Sequence, residues 1–413
     1  MARWKNKTNP DPFIQKMEAT RSIKENGQVQ FTGDDILTVP ARIENLVELN
    51  SLVTQEDKHT IVWRAIRNAG KQRLSSGSVI KEIEQLEKEY LSTKVKKFIL
   101  ITTLSLNSLK HTLKNCQIDH NRITFTRISA KKFIKHLNES QNIKYHLGKN
   151  KIPKDYMWVR VAVDAKSIHE ATQKALRSLN LFRGMLNYLV NFGKRSFSSN
   201  MKPQPINKIH FGPIHTLHKP NGGLVDDIFW YDEDFIRPVK AYNDILQGNF
   251  EKLIDFLPIF RKQLNRSKIK KILEDALLLY NSALDSYSFD TAFIKLWATL
   301  ELLTGTGRDS YDITVKRTSF IFNDVEEIKS HLNILRDCRN DIVHKGYMEG
   351  QKEILIYDIK LYVEQLLEFL LWEKEIKRLD TFDEVKQLLS SSPDKKELGK
   401  KIKIYNMAQK FHR

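Results

Sequence analysis

The chain has 413 residues, more than one compact core holds, which points to two or three domains; its 41% hydrophobic and 10% aromatic content excludes a disordered chain. Lys and Arg number 68 against 50 Asp and Glu, a net charge of +18. That excess favours polyanionic partners, nucleic acid first, although a generally solvated basic surface gives the same total.

Residues 1–35 are polar and rich in turn formers, and Asn9-Pro10-Asp11-Pro12 follows a basic start where a signal peptide would carry an apolar run. They read as a loosely held arm. From Asp35 the pattern turns helical: Ile36, Leu37, Ile43, Leu46, Val47 and Leu49 suggest one helix, Ile61 to Ile66 a second and Val79 to Leu91 a third. Ser75-Ser76-Gly77-Ser78 separates the last two and can cap the third.

The texture changes at Lys94. Residues 95–101, 122–128 and 158–163 are rich in β-branched and aromatic residues and read as strands, and Ser167 to about Phe192 is a long amphipathic helix. Later strands flank Lys219-Pro220-Asn221-Gly222-Gly223, which reads as a hairpin turn. Lys94, Lys96, Lys97, Lys110, Lys114, Arg122, Arg127, Lys131, Lys132 and Lys135 interleave with Phe98, Phe125 and Phe133, as on a nucleic-acid surface or as on solvated faces. His210, His215 and His218 precede Asp226 and Asp227, but without the spacing of a known zinc motif they read as packing or surface histidines, and no metal or cofactor is assigned.

The Pro-containing loop 196–207 and the Gly248-Asn249 break are the expected hinges, and beyond them the chain is helical: 250–265, 267–287, 290–304, 312–322, a helix from about Val325, and 353 to about 378. Gly305-Thr306-Gly307 lacks the Lys-Ser or Lys-Thr of a phosphate loop and reads as a plain connection. The tail from Asp394 is lysine-rich and reads as a short basic helix, one that could touch RNA or simply keep the surface soluble. The class is therefore α+β, predominantly α, in three parts: an arm and helical subdomain over 1–93, an α+β domain over 94–250, and a helical bundle with a basic tail over 251–413. Two cysteines far apart, Cys116 and Cys338, fit a reducing cytoplasm, and no stretch approaches the roughly 18 apolar residues of a membrane span.

Chemistry concentrates in the helix from Val325. Ile328, Leu332, Leu335, Cys338 and Ile342 form its apolar stripe, Asn323 or Asp324 can cap its start, and Gly346 suits the position past its end. Arg336, Asn340 and His344 recur at i, i+4, i+8 on a polar stripe, while Arg339 falls within the apolar one. A guanidinium there needs an anion or a subunit interface, and Glu301 of the upstream helix is the expected partner across a helix pair. The same groups suit RNA cleavage: His344 can move a proton near neutral pH, Arg339 can stabilise charge on a phosphate, and Asn340 can orient it.

The run Arg339-Asn340-x-x-x-His344 resembles the R-[N/D/H]-x4-6-H signature of HEPN domains. The segment Ala292-Phe293-Ile294-x-x-Trp297-Ala298-x-x-Glu301-x-Leu303 and the run Arg336-x-x-Arg339-Asn340-x-Ile342-Val343-His344-x-Gly346 are similar to the Apea-like branch of that superfamily, over roughly residues 265–380. The resemblance implies a metal-independent endoribonuclease of a toxin or antiviral system, with Arg339 and His344 catalytic, Asn340 accessory, Glu301 and Arg336 supporting, RNA as partner, and a homodimer whose two motifs line one cleft. It leaves a regulatory or antitoxin partner open. The alternative is a catalytically silent HEPN-like protein that binds RNA or a partner and uses Arg339 with Glu301 for structure alone. Tyr347 stands three residues after His344, where some members place a tyrosine two after, and no role is carried to it.

Overall fold

The computed structural model describes residues 2–33, 35–106, 115–125, 133, 143, 145, 152–195, 205–231, 235, 242, 249–307, 311–392 and 394–411. They form a mostly helical α+β structure around one six-stranded antiparallel sheet. The Ser196–Asn207 loop lies mainly outside them, as do Gly248 and, among the interleaved basic residues, Lys110, Lys114, Arg127, Lys131, Lys132 and Lys135.

The first 92 residues build a small core of their own. Strand β1 (Arg3–Trp4) pairs with β4 (Val47–Glu48), and β2 (Arg21–Ile23) with β3 (Val29–Phe31), around helices α1 (Asp11–Ala19), α2 (Asp35–Leu46), α3 (Gln55–Ala69) and α4 (Ser76–Ser92). Residues 1–35 are thus not an arm: Ile14 and Met17 of α1 and Phe31 of β3 pack with Val39, Ile43 and Ile66. Only a few apolar residues carry that packing, so local composition reads as turn. Ser75 and Ser78 form a reciprocal capping box at the start of α4, and Thr54 caps α3 through the Asp57 amide. The Asp57 carboxylate also accepts from Tyr90 at 3.0 Å and from Ser167 at 2.7 Å, which ties this unit to the start of the next long helix.

In the sheet, β5 (Lys96–Leu104), β6 (Asn115–Ile118), β7 (Asn121–Phe125), β8 (Met157–Ala165), β9 (Ile214–His218) and β10 (Leu224–Tyr231) take the order β10-β9-β5-β8-β7-β6. The alternation of β8 sends Val159, Val161 and Val163 into the core. Helix α5 (Ile168–Asn191), capped by Ser167, lies on that face, with Phe182 against Phe125 at 4.9 Å. The 219–223 turn joins β9 to β10 as a hairpin, in accord with its sequence.

The helices α6 (Asn249–Arg266), α7 (Lys270–Leu284), α8 (Phe289–Thr304), α9 (Tyr311–Ser319), α10 (Val325–Lys345), α11 (Lys352–Trp372) and α12 (Phe382–Leu389) follow, and α13 (Lys395–Phe411) closes the chain. A continuous hydrophobic core runs from Phe98 and Val161 in the sheet through Phe182 in α5 to Leu277, Trp297, Leu332 and Leu366 in the helices. Burial of that apolar area is the main stabilising term. Among the described residues no helix is long and apolar enough to cross a membrane.

Candidate functional site

Helix α10 forms as its sequence dictates. Asp324 caps it through the Glu327 amide, Glu326 and Glu327 occupy its first turn, and Gly346 ends it at φ +85°, a left-handed conformation that glycine adopts without strain. It packs on α9 and α8. Its buried residues are Leu332 and Leu335, and every residue from Arg336 to Lys345 is half-buried or exposed. Cys338 and Ile342 touch the core from its edge, so the candidate residues occupy the part of the helix that emerges from the bundle.

Arg336 donates to Asp312 at 2.6 Å and so holds α10 to the first turn of α9. Arg339, half-buried, places its guanidinium 3.4 Å from the Asn340 amide oxygen. His344 is exposed, and among the described residues its imidazole makes no hydrogen bond or ion pair. Lys345 pairs with Asp341 at 3.0 Å, a bond that raises the lysine's pKa. Burial, with Asp341 and Asp337 nearby, pushes the Cys338 thiol up and makes it a poor nucleophile.

Glu301 departs from expectation. Its carboxylate accepts the indole N–H of Trp297, one turn earlier in α8, at 2.7 Å, and among the described residues no ion pair joins it to Arg339. The spacing of four between Trp297 and Glu301 was a legible signal for this local bond. A second arrangement is remote in sequence: Asp290, in the first turn of α8, binds the Met348 amide at 3.0 Å and the Lys352 ammonium at 2.8 Å. It fixes the loop after Gly346 and, through it, the end of the motif helix.

Around one helix, Arg339 and His344 stand about 140° apart and about 7.5 Å along the axis. On the helical wheel Arg339 lies within about 100° of Arg336, Asn340 and Val343; the first three are half-buried and Val343 is exposed.

The other sequence candidates separate from this place. Phe98, Phe125 and Phe133 are buried in the core clusters and offer no stacking platform to bases. His210 bonds the Asn207 carbonyl at 2.6 Å, His215 the Thr102 hydroxyl at 2.7 Å, and His218 both Thr216 and the Gly222 carbonyl. Their ring nitrogens are engaged by protein groups, the behaviour of packing histidines. Thr306 of the 305–307 connection is buried against Thr304 and Thr314, as a plain loop residue is. Searches of family models, curated proteins and solved structures found no match to this chain.

Proposed function

We propose that the chain is a metal-independent endoribonuclease of the HEPN type, a toxin or antiviral effector, acting as a homodimer through Arg339, Asn340 and His344 of the C-terminal helical bundle. The observation that carries the reading is the emergence of α10 beyond Leu335 with an arginine, an amide and a histidine on it and no residue of that stretch buried.

In this reading neutral His344 takes the proton of a ribose 2′-OH, the 2′ oxygen attacks phosphorus, the P–O5′ bond breaks, and the 5′ oxygen leaves with a proton supplied by the protonated His344 of the second copy. Arg339 binds the phosphate and stabilises charge growing on its oxygens, with Asn340 beside it. The products are a 2′,3′-cyclic phosphate and a 5′-hydroxyl. The separation of about 140° between Arg339 and His344 on one helix favours a site completed by a second copy, whose α10 would face the outward side bearing Val343.

The test is digestion of total cellular RNA by the purified protein with EDTA present, beside His344→Ala and Arg339→Ala variants verified by circular dichroism and light scattering. Cleavage by wild type that leaves cyclic-phosphate ends and vanishes in both folded variants is the expected result. Cleavage surviving in both variants, or ends that are only 3′-hydroxyl, overturns the assignment.

A further inference from the structure

We infer that the N-terminal unit holds a single strand of RNA by its phosphodiester backbone, in a groove between the β2–β3 turn and the end of α3. The choice of RNA rests on the proposed function; the groove itself rests on its own geometry. It has a volume of about 420 Å³, and Gly27, Gln28, Arg64, Arg67, Asn68 and Lys71 line it without a carboxylate.

The charge in it is poorly compensated. Arg64 reaches Glu89 of α4 only at 3.9 Å, with both side chains more than half exposed, and Asn68 donates to Glu82 at 3.1 Å. Among the described residues Arg67 and Lys71 form no ion pair. Arg64, Arg67 and Lys71 stand at i, i+3 and i+7, a row about 10 Å long on one side of the helix and its extension. A row of that length exceeds one phosphate and suits a polymer that presents a charge every few ångströms.

The opposite wall is held in place. Gly27, at φ +74°, donates to the Lys24 carbonyl at 2.8 Å, Lys24 to the Gln28 carbonyl at 2.9 Å, and Gln28 to the Asn26 side chain at 3.0 Å. At Gly70 a Cβ atom would come within 3.1 Å of Ile66, Phe31 and Val29, so helix and hairpin touch at the base of the groove. A concave site with fixed walls, two amide side chains and a row of cations matches a phosphodiester backbone better than α13 does, whose lysines stand on an exposed helix with no buried residue.

The experiment uses the full chain carrying His344→Ala, so that bound RNA stays intact, and a fluorescent unstructured oligoribonucleotide of about 16 nucleotides. Anisotropy is read between about 50 and about 200 mM salt for this protein, for Arg67→Glu/Lys71→Glu, for the milder Arg67→Gln/Lys71→Gln, and for Lys400→Glu/Lys403→Glu on α13 as a control of equal charge change. The groove variants should bind about tenfold more weakly or worse, the glutamine pair should lower the salt slope by about 1.4, and the α13 control should lose less than about threefold. Equal losses in groove and control variants, or none in the groove, overturn the proposal. A DNA strand of the same sequence is the second probe, and groove-dependent binding of DNA alone overturns the choice of RNA. Groove-dependent binding in a protein that never cleaves counts against the nuclease alone; His344-dependent cleavage with groove-independent binding counts against the groove alone.

Discussion

Glu301 accepts the indole N–H of Trp297 at 2.7 Å, and this bond along α8 occupies the carboxylate that the sequence had aimed at Arg339. Trp297 is buried, so loss of the acceptor matters more than loss of the charge. Glu301→Gln, which keeps an oxygen acceptor, should change stability by less than about 1 kcal/mol, whereas Glu301→Ala should cost about 1–3 kcal/mol. Urea denaturation of both variants checks this; equal losses would show that the charge was the important part. In the nuclease reading Glu301→Gln also retains RNA cleavage.

Arg336 and Asp312 are 2.6 Å apart, yet the Asp312 side chain is 75% exposed. Water and salt therefore screen the pair, and a double-mutant cycle over Arg336→Ala and Asp312→Ala should give a coupling of about 0.2–1 kcal/mol. A coupling above about 2 kcal/mol would mean that a partner or a second copy desolvates the pair in solution.

The legible part of the structure was local. Asp324 and Gly346 at the two ends of α10, the Ser75 cap of α4 and the 219–223 hairpin were readable because capping and turn chemistry act within a few residues. Three long-range features were not. The packing of Ile14 and Met17 beneath α2 and α3 needs partners far along the chain, the Asp290–Lys352 pair spans 62 residues, and the continuity of core from Phe98 to Leu366 follows from which faces meet. The motif residues themselves could be listed from the sequence, but the exposure of α10 after Leu335 depends on where neighbouring helices stop.

Lys360 and Glu364 of α11 form an ion pair at 2.7 Å with side chains 2% and 0% exposed. Glu364 also accepts from Tyr280 and from the Gly193 amide at 3.0 Å, and Lys360 donates to the Asn191 carbonyl at 2.8 Å, so the pair joins α11 to α7 and to the end of α5. Burial raises the Glu364 pKa and lowers that of Lys360. Glu364→Ala strands a buried ammonium and removes the acceptor of Tyr280, and should cost about 3–5 kcal/mol. Lys360→Met should cost less, because the remaining carboxyl can take up a proton and keep its two donors. Chemical denaturation should rank the variants in that order, and the reverse ranking would show that Lys360, through its carbonyl contacts, is the more important partner.

Acid should weaken the fold through His215. Burial lowers its pKa from 6.5 to about 4, with the Arg183 charge adding to the effect, and the ring packs on Phe211 at 4.9 Å and bonds Thr102 at 2.7 Å. Burial also lowers the His210 pKa, although Asp285 opposes the shift. In the unfolded chain His215 gains its proton as pH falls through 6.5, while in the folded chain it stays neutral until about 4. The unfolded state therefore binds more protons across that window, and stability present above pH 6.5 declines as pH falls toward 4. Between neutrality and about pH 5 this one ring should account for about 2 kcal/mol of lost stability. Guanidinium denaturation at the two pH values should show a shallower decline in His215→Gln, which cannot take up a proton. A variant that declines as steeply as wild type would place the acid sensitivity in other groups, with His210 the next to replace.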